Sequence, residues 1–172
     1  MPRGIYALDT DQSRHVDLAA KLAKETLAPH AEEVDRTARF PSEAVAALGS
    51  AGLLGLCVAP ALGGKGMPPR VFAAVVEELA AADASTAMIY VMHVTAAQAI
   101  ASSETLGDRD EILRRIAAGK HLTTLAFSEK GSRSQFWAPV SKLAERGDGG
   151  FATQAYKWWV TWASEARRVC NT

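Results

Sequence analysis

Two stretches of this chain carry residue types that can do chemistry together. They are Lys157-Trp158-Trp159-Val160-Thr161-Trp162 and Phe127-Ser128-Glu129-Lys130-Gly131-Ser132-Arg133-Ser134. Aromatic and β-branched residues crowd the first, which predicts a strand over 158–162. A two-residue side-chain period then sets Lys157, Trp159 and Thr161 on one face and Trp158, Val160 and Trp162 on the other. The first face offers a flat indole beside a hydroxyl, suited to stacking on a conjugated ring and bonding its edge. The second stretch is a Ser/Gly-rich turn after an apolar run, a loop whose backbone N–H groups can meet an anion. Platform and loop together suit a flavin or a nucleotide. The same residues also suit ordinary packed aromatics in a sheet beside an ordinary polar turn.

Other candidate chemistry is sparser. His15, His30, His93 and His121 stand far apart without metal-ligand spacing, and there is no Ser-His-Asp order, HExxH or Walker loop. His15 and His30 read as solvated on a helix face, and His93 as a core or pocket-lining histidine with a satisfied hydrogen bond. Gly63-Gly64-Lys65-Gly66 has neither the length nor the strand-to-helix setting of a phosphate loop and reads as a turn. Glu77 and Glu78 read as rim charges and Glu129 as a turn-anchoring carboxylate. None has a second carboxylate at a spacing that argues acid–base work.

The elements that must position these residues fall into two parts. An apolar stripe of Leu18, Leu22, Ala23, Leu27, Ala31 and Val34 predicts a helix over 11–36. Pro41 opens a short helix that Gly49 and Gly52 close, and Pro68-Pro69 opens another. An apolar helix over 85–102 follows, then a polar one over 108–118 that Gly119 stops. After Gly119 the pattern changes to short runs at 122–127, 140–144, 151–155 and 158–162. The turn Arg146-Gly147-Asp148-Gly149-Gly150 between two of them is a hairpin signal. The expected fold class is α+β: an all-α N-terminal domain over 1–119, then the opening strands of an incomplete β-barrel-like domain over 120–172.

Composition narrows the partners. Nineteen basic and nineteen acidic residues cancel, so no net field favours nucleic acid or an anionic membrane. With 48% hydrophobic and 22% charged residues, the 172-residue chain can bury a core and is expected to be soluble. Cys57 and Cys170 have no CxxC or Cys/His spacing, which reads as two reduced thiols in a cytoplasmic protein. The most hydrophobic run, 84–100, is interrupted by polar residues and is shorter than the ~20 apolar residues of a membrane span. It reads as a buried helix.

Several motifs gain meaning jointly. Phe40-Pro41-Ser42-Glu43, Gly52-Leu53-Leu54-Gly55, Pro60, Gly63-Gly64-Lys65-Gly66, Glu77-Glu78-Leu79-Ala80, Asp83-Ala84-Ser85 and the helix bearing His93 occur in one order. That order resembles the acyl-CoA dehydrogenase family. Ser128-Glu129-Lys130-Gly131-Ser132-Arg133-Ser134 resembles its Thr-Glu-Pro-Gly-Ala-Gly-Ser-Asp signature. Lys157-Trp158-Trp159-Val160-Thr161 resembles its Lys-x-Trp-Ile-Thr strand. The likeness runs over residues 10–168. There are departures: Lys130 for a proline, Arg133 for a glycine, Gln135 for an aspartate, and Trp162 where the family usually has asparagine.

The resemblance implies FAD as cofactor and α,β-dehydrogenation of an acyl-CoA thioester. It implies that the turn bearing Leu125, Phe127, Ser128, Arg133 and Ser134 wraps the FAD. By the same likeness Trp159 packs on the isoalloxazine with Val160 beside it, and Thr161 bonds near the flavin's reactive edge. Ser134 and His93 are the implied substrate contacts. The likeness further implies a homo-oligomer and an electron-transfer flavoprotein as a possible partner. The family's catalytic glutamate lies in a C-terminal helical bundle with no match here. The expectation is therefore that no catalytic residue lies in this chain and that it is inactive alone. Two other readings stay open: a same-fold flavin monooxygenase or nitroalkane-oxidising enzyme, and a non-catalytic helical interaction module.

Overall fold

The structure, a computed structural model, describes residues 5–133, 135, 137–165 and 168–171. The first helix, α1 (Thr10–Leu22), starts where the Asp9 carboxylate accepts the Gln12 N–H at 2.9 Å. The Gln12 side chain in turn accepts the Asp9 N–H at 3.3 Å, so two donors that a helix start leaves unpaired are satisfied. The path then widens through a π-turn (Ala23–Leu27) into α2 (Ala28–Thr37). The continuous helix expected over 11–36 is thus interrupted, and Pro29 supplies the reason. Proline has no N–H for the carbonyl four residues back and its ring crowds that carbonyl, which a wider turn relieves.

Ser42–Ser50 forms α3, and two short 3-10 turns follow, Leu53–Gly55 and Pro60–Leu62. Proline is favoured at a first helical position, and α4 (Pro69–Ala82) begins that way. Asp83 ends α4 and caps α5 (Ala84–Ala101), its carboxylate accepting the N–H groups of Ser85 and Thr86 at 3.0 and 3.3 Å. The last helix, α6 (Arg109–Ala117), stops before Gly119, which takes φ +70°.

Two apolar clusters hold the helices. Leu27, Leu48, Leu53, Val71, Val75, Leu79 and Tyr90 fill the larger, and Val58, Ala97, Ile100, Ile112, Leu113 and Ile116 the smaller. Both include residues of α5. Among the described residues, Ala84–Ala101 is a helix long and apolar enough by composition to cross a membrane, and 44% of it is buried inside the protein. Its Tyr90 is 1% exposed and donates its hydroxyl to the Leu53 carbonyl at 3.0 Å, so the one polar atom on a core ring is paired.

The remaining elements are short strands. β1 (Thr123–Ala126) is buried at every position and packs on α5. β2 (Leu143–Glu145) and β3 (Phe151–Thr153) form the expected antiparallel hairpin, with Leu143 opposite Thr153. β4 (Arg168–Asn171) runs parallel to β1, Thr123 opposite Arg168 and Ala126 opposite Asn171. The strand expected over 140–144 starts later because the N–H groups of Val140 and Ser141 donate to the Glu129 carboxylate instead of to a ladder. The strand expected over 158–162 is not formed. Trp159 and Trp162 take φ +55° and +48°, left-handed backbone that breaks an extended run, and 161–165 is a turn.

Candidate functional site

The two sequence motifs meet. Glu129 and Lys157 form an isolated antiparallel bridge, and the Trp158 N–H donates to the Ser128 carbonyl at 2.9 Å. Glu129 is the anchor of this junction, with its side chain 2% exposed. Its carboxylate accepts the Val140 N–H at 2.6 Å, the Ser141 N–H at 2.8 Å and the Ser141 hydroxyl. Its fourth partner is the Lys157 ammonium at 2.6 Å. The Lys157 ammonium first, then the Ser141 donors, hold the carboxyl down at about 2. An acid this committed is a clamp rather than a proton acceptor, which agrees with its reading as a turn anchor.

Above this clamp lies a cleft of about 330 Å³ walled by Ser128, Glu129, Ser132, Arg133, Trp158 and Trp159. Trp159 is 86% exposed; Trp158 is half as exposed and meets Tyr156 edge-on at 5.4 Å. Arg133 is exposed with φ +54°, a conformation glycine favours, at the position where the resembled signature has glycine. Phe127 and Ser128 are half-buried and Leu125 is buried in β1. Ser134 lies outside the described residues.

A second, larger cleft of about 630 Å³ opens where the α2–α3 corner faces the start of α5 and the 161–165 turn. Val34, Phe40, Met88, Ile89 and Trp162 give it apolar walls, with Asp35 and Glu165 also lining it. Arg39 lines it too, but its guanidinium is bound to Glu33 at 2.5 Å and to Glu43 at 2.6 Å. That pairing pulls the Glu43 carboxyl down to about 2.

Thr161 belongs to this second cleft, with its carbonyl accepting the Thr124 hydroxyl at 3.0 Å. Trp159 and Thr161 therefore do not share a face. Alternation requires extended backbone, and the left-handed turn at Trp159 ends it; half-buried Val160 lies between the two.

His93 faces neither cleft. It is 0% exposed, with Nε2 at 3.2 Å from the Leu54 carbonyl and Nδ1 accepting the Thr123 N–H at 3.2 Å. These partners define a neutral ring carrying its proton on Nε2. Burial, foremost, pushes its pKa down to about 4. As a substrate contact His93 is corrected to a core residue that ties α5 to β1, because both nitrogens are spent on backbone. The residue that sequence reasoning missed is Trp162. Its ring stacks on Phe40 at 5.9 Å and 29° and stands 6.4 Å from the His93 ring. Its replacement of asparagine was the available signal.

Comparison with known proteins places this architecture. The sequence model of the acyl-CoA dehydrogenase N-terminal domain matches residues 9–120. The probable acyl-CoA dehydrogenase YngJ of Bacillus subtilis is 30% identical over 168 residues, 97% of this chain and 44% of its own length. A solved structure described for the electron transferring flavoprotein of Acidaminococcus fermentans superposes with a TM-score of 0.83 at 28% identity, covering 92% of this chain and 42% of that one. The nitrososynthase of Micromonospora carbonacea var. africana gives a TM-score of 0.73 at 28% identity, covering 92% and 40%. This chain thus spans less than half the length of each of these proteins. On the family match and the shared fold, the chain belongs to the acyl-CoA dehydrogenase family.

Proposed function

We propose that this chain forms the front part of an FAD-dependent oxidoreductase that removes hydrogens from the α and β carbons of an acyl-CoA thioester. The observation that carries the reading is the junction of the two motifs. The Glu129–Lys157 pair sets the exposed Trp159 indole against the Ser128–Arg133 loop. The residues suit FAD on two counts. An exposed indole can stack on a planar conjugated ring, and the exposed Arg133 guanidinium suits a pyrophosphate. Thr161 does not join them, since it lines the other cleft.

FAD, when bound, supplies hydride acceptance. Trp159, Ser128 and Arg133 would hold it. The chain's own part is to orient and to exclude water. The 630 Å³ cleft, apolar on Phe40, Met88, Ile89 and Trp162, suits the hydrocarbon part of the thioester. Neither Glu129 nor Glu43, each locked to a cation, is free to take the α-proton. Those two carboxylates are therefore not the base in this proposal. A homo-oligomer, an electron-transfer flavoprotein as electron acceptor and a cytoplasmic setting complete the proposal.

The likeness to nitrososynthase supports a second reading, oxygen chemistry on the same platform. It ranks lower because the family model and the Bacillus subtilis relative, a probable acyl-CoA dehydrogenase, both favour the first reading. Titration with FAD, followed by quenching of flavin fluorescence, tests the cofactor. Saturable quenching that Trp159→Ala weakens is expected, and absence of quenching by the wild-type chain would overturn it. Fast reoxidation of the reduced flavin by oxygen would favour the second reading.

A further inference from the structure

The 161–165 turn poses a physical question. A left-handed residue there is served at little cost by glycine or asparagine, whereas a bulky aromatic is strained. Trp162 nevertheless takes φ +48°, and its backbone carbonyl closes the turn by accepting the Glu165 N–H at 3.0 Å. The turn itself does not use the indole. The ring must be held by what it touches.

It touches two walls at once. Phe40 at the α2–α3 corner stacks on it, and His93 of α5 lies on another side. Since His93 is 0% exposed, the indole stands between the open cleft and the core. The indole Nε1 is buried and, among the described residues, has no hydrogen-bond partner. A buried unpaired N–H is a further cost that packing alone must offset. Two local costs borne by one side chain at the back of the 630 Å³ cleft mark a residue whose use is the shape it gives that cleft.

We infer that Trp162 is the specificity-determining residue of this cleft: its indole is the inner wall that sets how large an apolar group can enter. The polar lining agrees with an apolar occupant. Asp35 and Glu165 are acidic, and Arg39 is taken by Glu33 and Glu43. The first N–H groups of α5, beside Ser85, are already accepted by Asp83. An anionic group therefore meets two carboxylates and an arginine already paired, whereas a hydrocarbon meets Val34, Phe40, Met88 and Ile89 beside the indole. That the hydrocarbon belongs to an acyl thioester rests on the proposed function; the wall itself does not.

The test separates the two. Free indole is added to the wild-type chain and to Trp162→Asn, which suits the left-handed backbone and removes the ring. Indole is expected to raise the Tm of Trp162→Asn and to leave the wild type unchanged. Should Trp162→Asn fail to fold, Trp162→Phe keeps a ring on Phe40 and is expected to respond to benzene and not to indole. A folded variant with no response, or a wild type that responds equally, overturns the inference. Butanoyl-CoA and dodecanoyl-CoA are then titrated against both chains. Trp162→Asn is expected to gain about tenfold on the longer thioester relative to the shorter. Equal ratios would overturn the wall. A response to indole with no binding of either thioester keeps the wall and defeats the acyl-CoA reading.

Discussion

Glu129 and Lys157 join the two motifs through an ion pair of 2.6 Å whose side chains are only 2% and 10% exposed. Such a pair is costly to break from one side, because the remaining charge stays buried without its partner. Lys157→Met is expected to lower Tm by several degrees, and Glu129→Gln to do the same while also weakening the hold on Val140 and Ser141. The double variant should lose less than the sum of the two, as a thermal-unfolding double-mutant cycle measures. Strict additivity would show that the pair does not couple the segments.

Acid should destabilise the protein in two distinct windows. His93 titrates near 4 in the fold and at 6.5 when unfolded, so the unfolded chain takes up the proton first. Stability is therefore lost as pH falls from 6.5 towards 4, by on the order of 3 kcal/mol. Glu129, held at about 2 against an ordinary 4.5, contributes above 4.5 and loses that contribution as pH falls towards 2. His93→Gln should flatten the upper window and leave the lower one. Urea unfolding at successive pH values reads both, and an unchanged upper slope in His93→Gln would assign it elsewhere.

The two tryptophans of the smaller cleft should behave differently. Trp159 is 86% exposed, so Trp159→Ala should leave Tm unchanged while weakening FAD binding roughly threefold to tenfold. Trp158 meets Tyr156 edge-on, a ring contact that alanine removes, so Trp158→Ala should cost some stability as well. Equal affinity losses with no change of Tm at either position would contradict the facing seen here.

Gly55 gives a test of the helical part alone. A Cβ there would lie 2.6 Å from the Ala117 Cα, so Gly55→Ala must push α6 off the 3-10 turn. Overpacking against backbone costs about 1–3 kcal/mol. Gly107, whose Cβ would meet nothing within 4 Å, is the control expected to tolerate alanine. Matching Tm values for the two variants would argue against the close approach.

The helices were legible because their signals are local. Pro69 and Gly119 each act on neighbouring backbone, and the burial stripe of α4 repeats with the helical period. Glu129 could be read as an anchor for the same reason, from a carboxylate placed in a turn. The aromatic segment was misread because alternation presumes an extended chain. What bends it is left-handed backbone at Trp159 and Trp162, a conformation that tryptophan does not advertise. β4 escaped because Arg168–Asn171 is only four residues long and its pairing with β1 is a contact between distant segments. The helix interruption at Ala23–Leu27 had a visible cause in Pro29, which the apolar stripe alone did not weigh.

The parallel pairing of β1 with β4 also bears on how the molecule is made. Everything between Ala126 and Arg168, including both motifs and the hairpin, is a single loop closed by four residue pairs. Closing a long loop precedes any reward from the contacts it allows, so such pairings form slowly. The helices, built from near neighbours in sequence, should be complete before either tryptophan cleft exists. In refolding, protection of amides in the helices should therefore precede protection at Thr123–Ala126, and whatever the clefts bind can act only on the last-formed part of the protein.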